Sequence, residues 1–131
     1  FTPLRDAIDH GKHAIAKLLL DRGANPNIPS IRGTTPLFVA AMSGDVIAVN
    51  MLLKANADST LSPTLTRSQL LHGIEDDKVI TNINQYSDKQ GGELFTLTPM
   101  KIAELHNHHE IVNILSVELT VAEPEFKRLK R

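Results

Sequence analysis

The run His106-Asn107-His108-His109-Glu110 gathers the side chains of this sequence best suited to hold a metal. Imidazole nitrogens and a carboxylate are ligand types for zinc. The zinc-hydrolase spacing H-E-x-x-H begins at His109-Glu110 but meets Asn113 where its second histidine belongs. Glu75-Asp76-Asp77 places three carboxylates side by side, a composition used in acid–base catalysis. Adjacent carboxylates in a polar stretch read first as a solvated turn, and Asp76-Asp77 lacks calcium-loop spacing. Gly91-Gly92-Glu93 is not followed by G-K-[ST] and so forms no phosphate loop. Neither G-x-S-x-G nor S-x-x-K occurs. The sequence has no cysteine, which removes thiol nucleophiles, disulfides and Cys-ligated metals. His10 and His13 flank Gly11 and read as an inner-face residue and an exposed residue of a following helix. No catalytic residue, no cofactor and no metal site is expected, and 106–110 reads as a turn entering a helix.

The elements that position these residues follow from composition and repetition. In 131 residues, 14 Lys+Arg balance 15 Asp+Glu, a net charge of -1 that offers no basic face to nucleic acid. Hydrophobic residues make up 41% but aromatics only 4%, so the core must be built from Ala, Leu, Ile and Val. No apolar stretch approaches the ~18–20 residues that span a bilayer. The sequence opens at Phe1 without a basic n-region or apolar h-region, and it reads as part of a longer chain.

Thr2-Pro3-Leu4 recurs as Thr35-Pro36-Leu37, a shift of 33 residues. The same shift carries Ala7 to Ala40, Gly11 to Gly44, Leu19-Leu20 to Leu52-Leu53, and Ala24 to Ala57. Thr98-Pro99-Met100 is a third copy, 63 residues further on; it aligns Ala40 with Ala103, Val49 with Val112 and Leu52 with Leu115. Gly44 becomes Asn107, the other residue type that accepts a left-handed backbone. Within one unit, Thr35 can cap a helix that Pro36 starts. Gly44 ends it, and a second helix is predicted over Val46–Lys54, with Val49, Leu52 and Leu53 at helical spacing. Each unit buries too little alone, so neighbours must stack.

The period and the pattern T-P-L-x-x-A-x-x-x-G resemble the ankyrin repeat family. The closing G-A-x-x-N stands here as Gly23-Ala24-Asn25-Pro26-Asn27, and the resemblance covers about 1–61 and 96–117. Arg5, Phe38 and Lys101 depart from it, replacing the usual His after T-P-L, which puts part of the inter-repeat hydrogen bonding in doubt. The resemblance implies an all-α solenoid of about four stacked helix-turn-helix units with short hairpin loops. The expected units are 1–33, 34–66, 67–95 and 96–122, followed by a C-terminal tail, 123–131, carrying Lys127, Arg128, Lys130 and Arg131. The unit 67–95 reads first as a degenerate repeat, since long structureless loops inside compact domains are uncommon, and, as the alternative, as an inserted loop. For the first, Ser68–Glu75 and Val79–Ile83 supply helical patterns; against it, the T-P-L and the inter-helix glycine are missing. Gly91–Thr98 suits a hairpin finger in which Leu94, Phe95 and Leu97 seek cover.

The resemblance further implies a non-enzymatic protein–protein interaction module. Its concave face would carry the partner-binding residues Ile31, Arg32 and Thr34 on a hairpin, and Asp9, His10, Met42, Ser43, Leu105 and His106 on the first helices. The alternative is a regulatory or substrate-recruiting segment of a larger enzyme or effector, with 62–95 as a functional insertion. The expected partner is a protein, with no nucleic acid and no membrane, and the chain is expected to be a monomer. The expected setting is cytoplasmic or, since the divergent copies and Asn- and Ile-rich spacers are similar in style to bacterial host-directed ankyrin proteins, a host cytosol.

Overall fold

The computed structural model describes residues 3–30 and 33–117. Proline and glycine set its helix boundaries. Helix α1 (Pro3–Asp9) and α2 (His13–Asp21) form the first pair, and α3 (Pro36–Ser43) and α4 (Val46–Lys54) the second. Then come strand β1 (Thr64–Thr66), α5 (Arg67–Leu71), α6 (Asp77–Gln90), strand β2 (Leu94–Thr96) and α7 (Pro99–Leu105). The chain is helical again over 109–117, called α8 here.

The third T-P copy starts its helix as the second does. Thr35 Oγ1 accepts from the Phe38 amide at 3.2 Å and Thr98 Oγ1 from the Lys101 amide at 3.1 Å. Each proline follows at the first helical position, where a missing N–H leaves nothing unpaired. The turn between paired helices is also the same three times. Lys12 N donates to Ala7 O, Asp45 N to Ala40 O and His108 N to Ala103 O, at 2.8, 3.0 and 2.8 Å. That turn needs a positive φ, supplied by Gly11 (+66°), Gly44 (+77°) and Asn107 (+62°). Gly44 has a second reason to lack a side chain: a Cβ there would lie 2.7 Å from Cε1 of His108.

Helix α3 packs against α1 on one side and directly against α7 on the other. Its Leu37, Phe38, Ala40 and Ala41 are completely buried, and small Ala40 and Ala41 let the neighbouring helices approach closely. Helix α2 packs against α4. The three pairs therefore stack in the order α1/α2, α3/α4, α7/α8 and share a core of Ala, Leu, Ile and Val, to which these pairs contribute one completely buried aromatic, Phe38. Here the aromatic-poor composition finds its use: helices that must sit close together have no room for large rings.

Between the second and third pairs the chain leaves the stack as an arm. Strands β1 and β2 pair antiparallel, Thr64 opposite Thr96 and Leu65 opposite Phe95. Helices α5 and α6 pack on each other at the far end of this stem. Leu65, Leu70, Val79, Ile83, Phe95 and Leu97 are buried, whereas Leu94 stays 67% exposed and does not find the cover expected for it. Both arm helices are well capped. Thr66 and Gln69 form a reciprocal capping box, and Asp76 accepts from the Lys78 and Val79 amides. Gly91 closes α6 in the left-handed conformation.

Candidate functional site

The candidate surface is the row of residues at the C-terminal ends of the first helices. Asp9 and His10 are exposed at the end of α1, with His10 Nδ1 donating to the Asp6 carbonyl at 2.9 Å. In the next unit, Met42 is half-buried against the core and Ser43 is exposed. The Ser43 hydroxyl donates to the Val39 carbonyl at 3.0 Å, which fixes its rotamer. Asp9 and His10 thus occupy the positions of the first unit that match Met42 and Ser43 in the second, whose helix α3 packs on α1.

Two expected members do not join this strip. Thr34 is only 7% exposed, because its hydroxyl sits 2.6 Å from the Ser30 hydroxyl within the hairpin. Leu105 is only 6% exposed, and α6 lies beside it: the Asn82 side-chain amide donates to the Leu105 carbonyl at 3.0 Å and to Asn107 Oδ1 at 3.3 Å. At equivalent positions the strip thus runs from exposed Asp9 through half-buried Met42 to covered Leu105. Ile31 and Arg32 lie outside the described residues.

His106 is half-buried, its ring stacked on that of His108 with centroids 5.9 Å apart, and among the described residues its Nε2 has no hydrogen-bond partner. Burial holds its pKa below the ordinary histidine value, the neighbouring His108 adds to the effect, and Asp76 of the arm opposes it. The histidines of 106–110 do not converge on a point. His108 Nε2 donates to the Met42 carbonyl at 3.0 Å, tying the third unit to the second, while His109 is exposed. Among the described residues no group of three or more His, Asp or Glu is placed to hold a metal ion.

A second tie escaped the sequence reading. His13 Nε2 lies 2.7 Å from Oδ2 of Asp45, whose Oδ1 caps α4 through the Ala48 amide. His13, expected to be exposed, is a half-buried link between the first and second units. Hairpins are joined as well: Asn27 Oδ1 accepts from the Asp58 amide at 2.7 Å. The sequence signal for the His13 link is its position two residues after the turn glycine, with an N-cap Asp in the next repeat.

A family model of ankyrin repeats, in three copies, matches residues 1–63. Residues 1–63 carry ankyrin repeats. An ankyrin repeat-containing protein of Schizosaccharomyces pombe is 36% identical over 61 residues, 47% of this chain and 28% of that protein. The chain thus spans under a third of the length of that curated relative. The ankyrin assignment explains why three pairs with few identical residues share one turn geometry, and the helical stack is the ankyrin solenoid. Ankyrin repeats are generally protein–protein interaction modules and generally non-enzymatic. No helix among the described residues is long and apolar enough to cross a membrane.

Proposed function

We propose that the chain is a non-enzymatic module that presents its concave ankyrin strip to a protein partner. The observation that carries this reading is the alignment of Asp9, His10, Met42 and Ser43 along consecutive, rigidly stacked units. Ile31 and Arg32, outside the described residues, are included from the sequence resemblance alone. The strip pairs one adaptable thioether with charged and hydroxyl groups, a composition suited to interfaces. With a net charge of -1, specificity comes from shape and a few anchors, and steering by long-range fields is small. The module acts as a monomer, and a cytoplasmic setting fits a chain without cysteine. The arm over 62–95 is an insertion in the hairpin between the second and third repeats. Direct packing of α7 on α3 supports this, since a repeat stacked between them would hold those helices apart.

The test is affinity capture with the intact chain, read by mass spectrometry, against the double variants Asp9→Arg/Ser43→Arg and Ile31→Glu/Arg32→Glu. Both should keep wild-type helicity and unfolding temperature while losing the captured protein. Equal capture by wild type and both variants would remove the strip from the binding surface.

A further inference from the structure

The arm does more than cover Leu105; it creates a second concavity. A groove of about 360 Å³ runs between α6 and the α7/α8 turn, at the small end of the roughly 300–1,000 Å³ usual for ligand clefts. Its walls come from two units of the fold: Gln85, Tyr86 and Lys89 from α6, and Lys101, Asn107 and His109 from the last repeat. We propose that this groove is a binding site, separate from the concave strip, for an extended peptide segment bearing acidic side chains.

Three features argue for that ligand. First, Gln85 and Asn107 are exposed; the Gln85 amide offers both a donor and an acceptor, and Asn107, whose Oδ1 already accepts from Asn82, adds its amide donors. That is the pairing an extended backbone requires, since each of its residues carries one N–H and one C=O. Second, a cation stands on each wall. Lys89 is exposed and makes no ion pair among the described residues, and Lys101 sits 5.0 Å from the Tyr86 ring centroid. The one carboxylate lining the groove, Glu104, is already held by Lys101 at 3.3 Å. With Lys101 and Glu104 offsetting each other, Lys89 leaves the groove one net positive charge in a chain whose net charge is -1. Third, the site is preorganised. Both Asn82 hydrogen bonds fix α6 against the end of α7 and the turn after it, and the Tyr86–Phe95 ring contact at 6.0 Å fixes α6 against β2, so ligand binding need not order the walls.

The experiment is to pan a phage-displayed random 12-residue peptide library against the intact chain. The selected peptides are then titrated by fluorescence polarisation at low and high salt. Enriched peptides should share Asp or Glu, weaken as salt rises, and bind Lys89→Glu and Gln85→Ala at least tenfold more weakly than wild type. Both positions are exposed on α6, so circular dichroism of the variants should match wild type. An absence of enrichment, a consensus without acidic residues, or undiminished binding to Lys89→Glu would overturn the proposal. Peptides that lose affinity to Asp9→Arg/Ser43→Arg but not to Lys89→Glu would also overturn it, while leaving the concave strip in place.

Discussion

The stack and the arm are both helical, yet different forces hold them. In the stack, the same turn recurs three times around close-packed alanines, and Phe38, Leu52, Ile102 and Leu115 have no exposed surface. The arm has a small apolar centre around Leu65, Leu70, Val79, Ile83 and Phe95, and it depends on caps at its helix ends. Its buried residues join the same hydrophobic cluster as the stack's, and a polar seam of one asparagine and a lysine over a tyrosine ring adds contacts to α7. Repetition makes the stack's contacts mutually reinforcing. The arm's contacts are each made once, so losing one is felt locally.

The sharpest way to break this comparison is a matched pair of core truncations. Leu52→Ala and Ile83→Ala each empty a fully buried site and should each cost about 2–5 kcal/mol. Urea unfolding should show the Leu52 loss across the whole chain. Hydrogen exchange should confine the Ile83 loss to the arm amides, with α3 and α4 still protected. Equal loss of protection everywhere in both variants would show a single cooperative unit.

A backbone test comes next. Gly44→Ala forces a left-handed alanine, costing about 1–2 kcal/mol, and drives a methyl group into the His108 ring. Its unfolding midpoint should fall and the His108 ring resonances should shift. Gly91→Ala at the end of α6 shares the positive φ but meets nothing within 4 Å, so it should cost less. Asn82→Ala removes the seam's hydrogen bonds for about 1 kcal/mol; amides of α6 should exchange faster while the stack's rates stay the same.

The smallest effect is a pH dependence at the junction of the two regions. The folded state holds the pKa of His106 below its unfolded value, so the unfolded chain takes up the proton first as pH falls. The stability this group contributes is complete above the unfolded value of about 6.5 and is lost as pH drops below it. His108 adds to that loss by repulsion and Asp76 lessens it. His106→Gln should flatten the unfolding temperature between pH 7.5 and 5.5, and Asp76→Asn should steepen it.

The stack was largely legible because its signals are local and repeated. The second helix expected over Val46–Lys54 is α4 to the residue, and Asn107 takes the left-handed turn that Gly44 takes one unit earlier. The arm was harder to read. Val79 and Ile83 sit one helical turn apart, but the next member of that face is buried Ser87, so hydrophobic spacing showed only the first half of α6. Strands of three residues carry too short an alternation to detect, and a 63-residue gap between repeats fits a lost repeat as well as an insertion. The strip was legible only where nothing non-local covers it. Asp9 and Ser43 are open as expected, whereas Leu105 is buried and its carbonyl is bonded by an asparagine 23 positions earlier in the chain.

The paired Thr64 and Thr96 give the arm a hereditary meaning. Its entry and exit are neighbours, so the solenoid closes over the same gap whatever lies beyond the stem, and a longer excursion costs only slightly more closure entropy. A descendant chain could lengthen, shorten or exchange the cassette between these threonines without re-solving the solenoid. Recognition carried by the cassette would then diverge faster than the repeats that carry it.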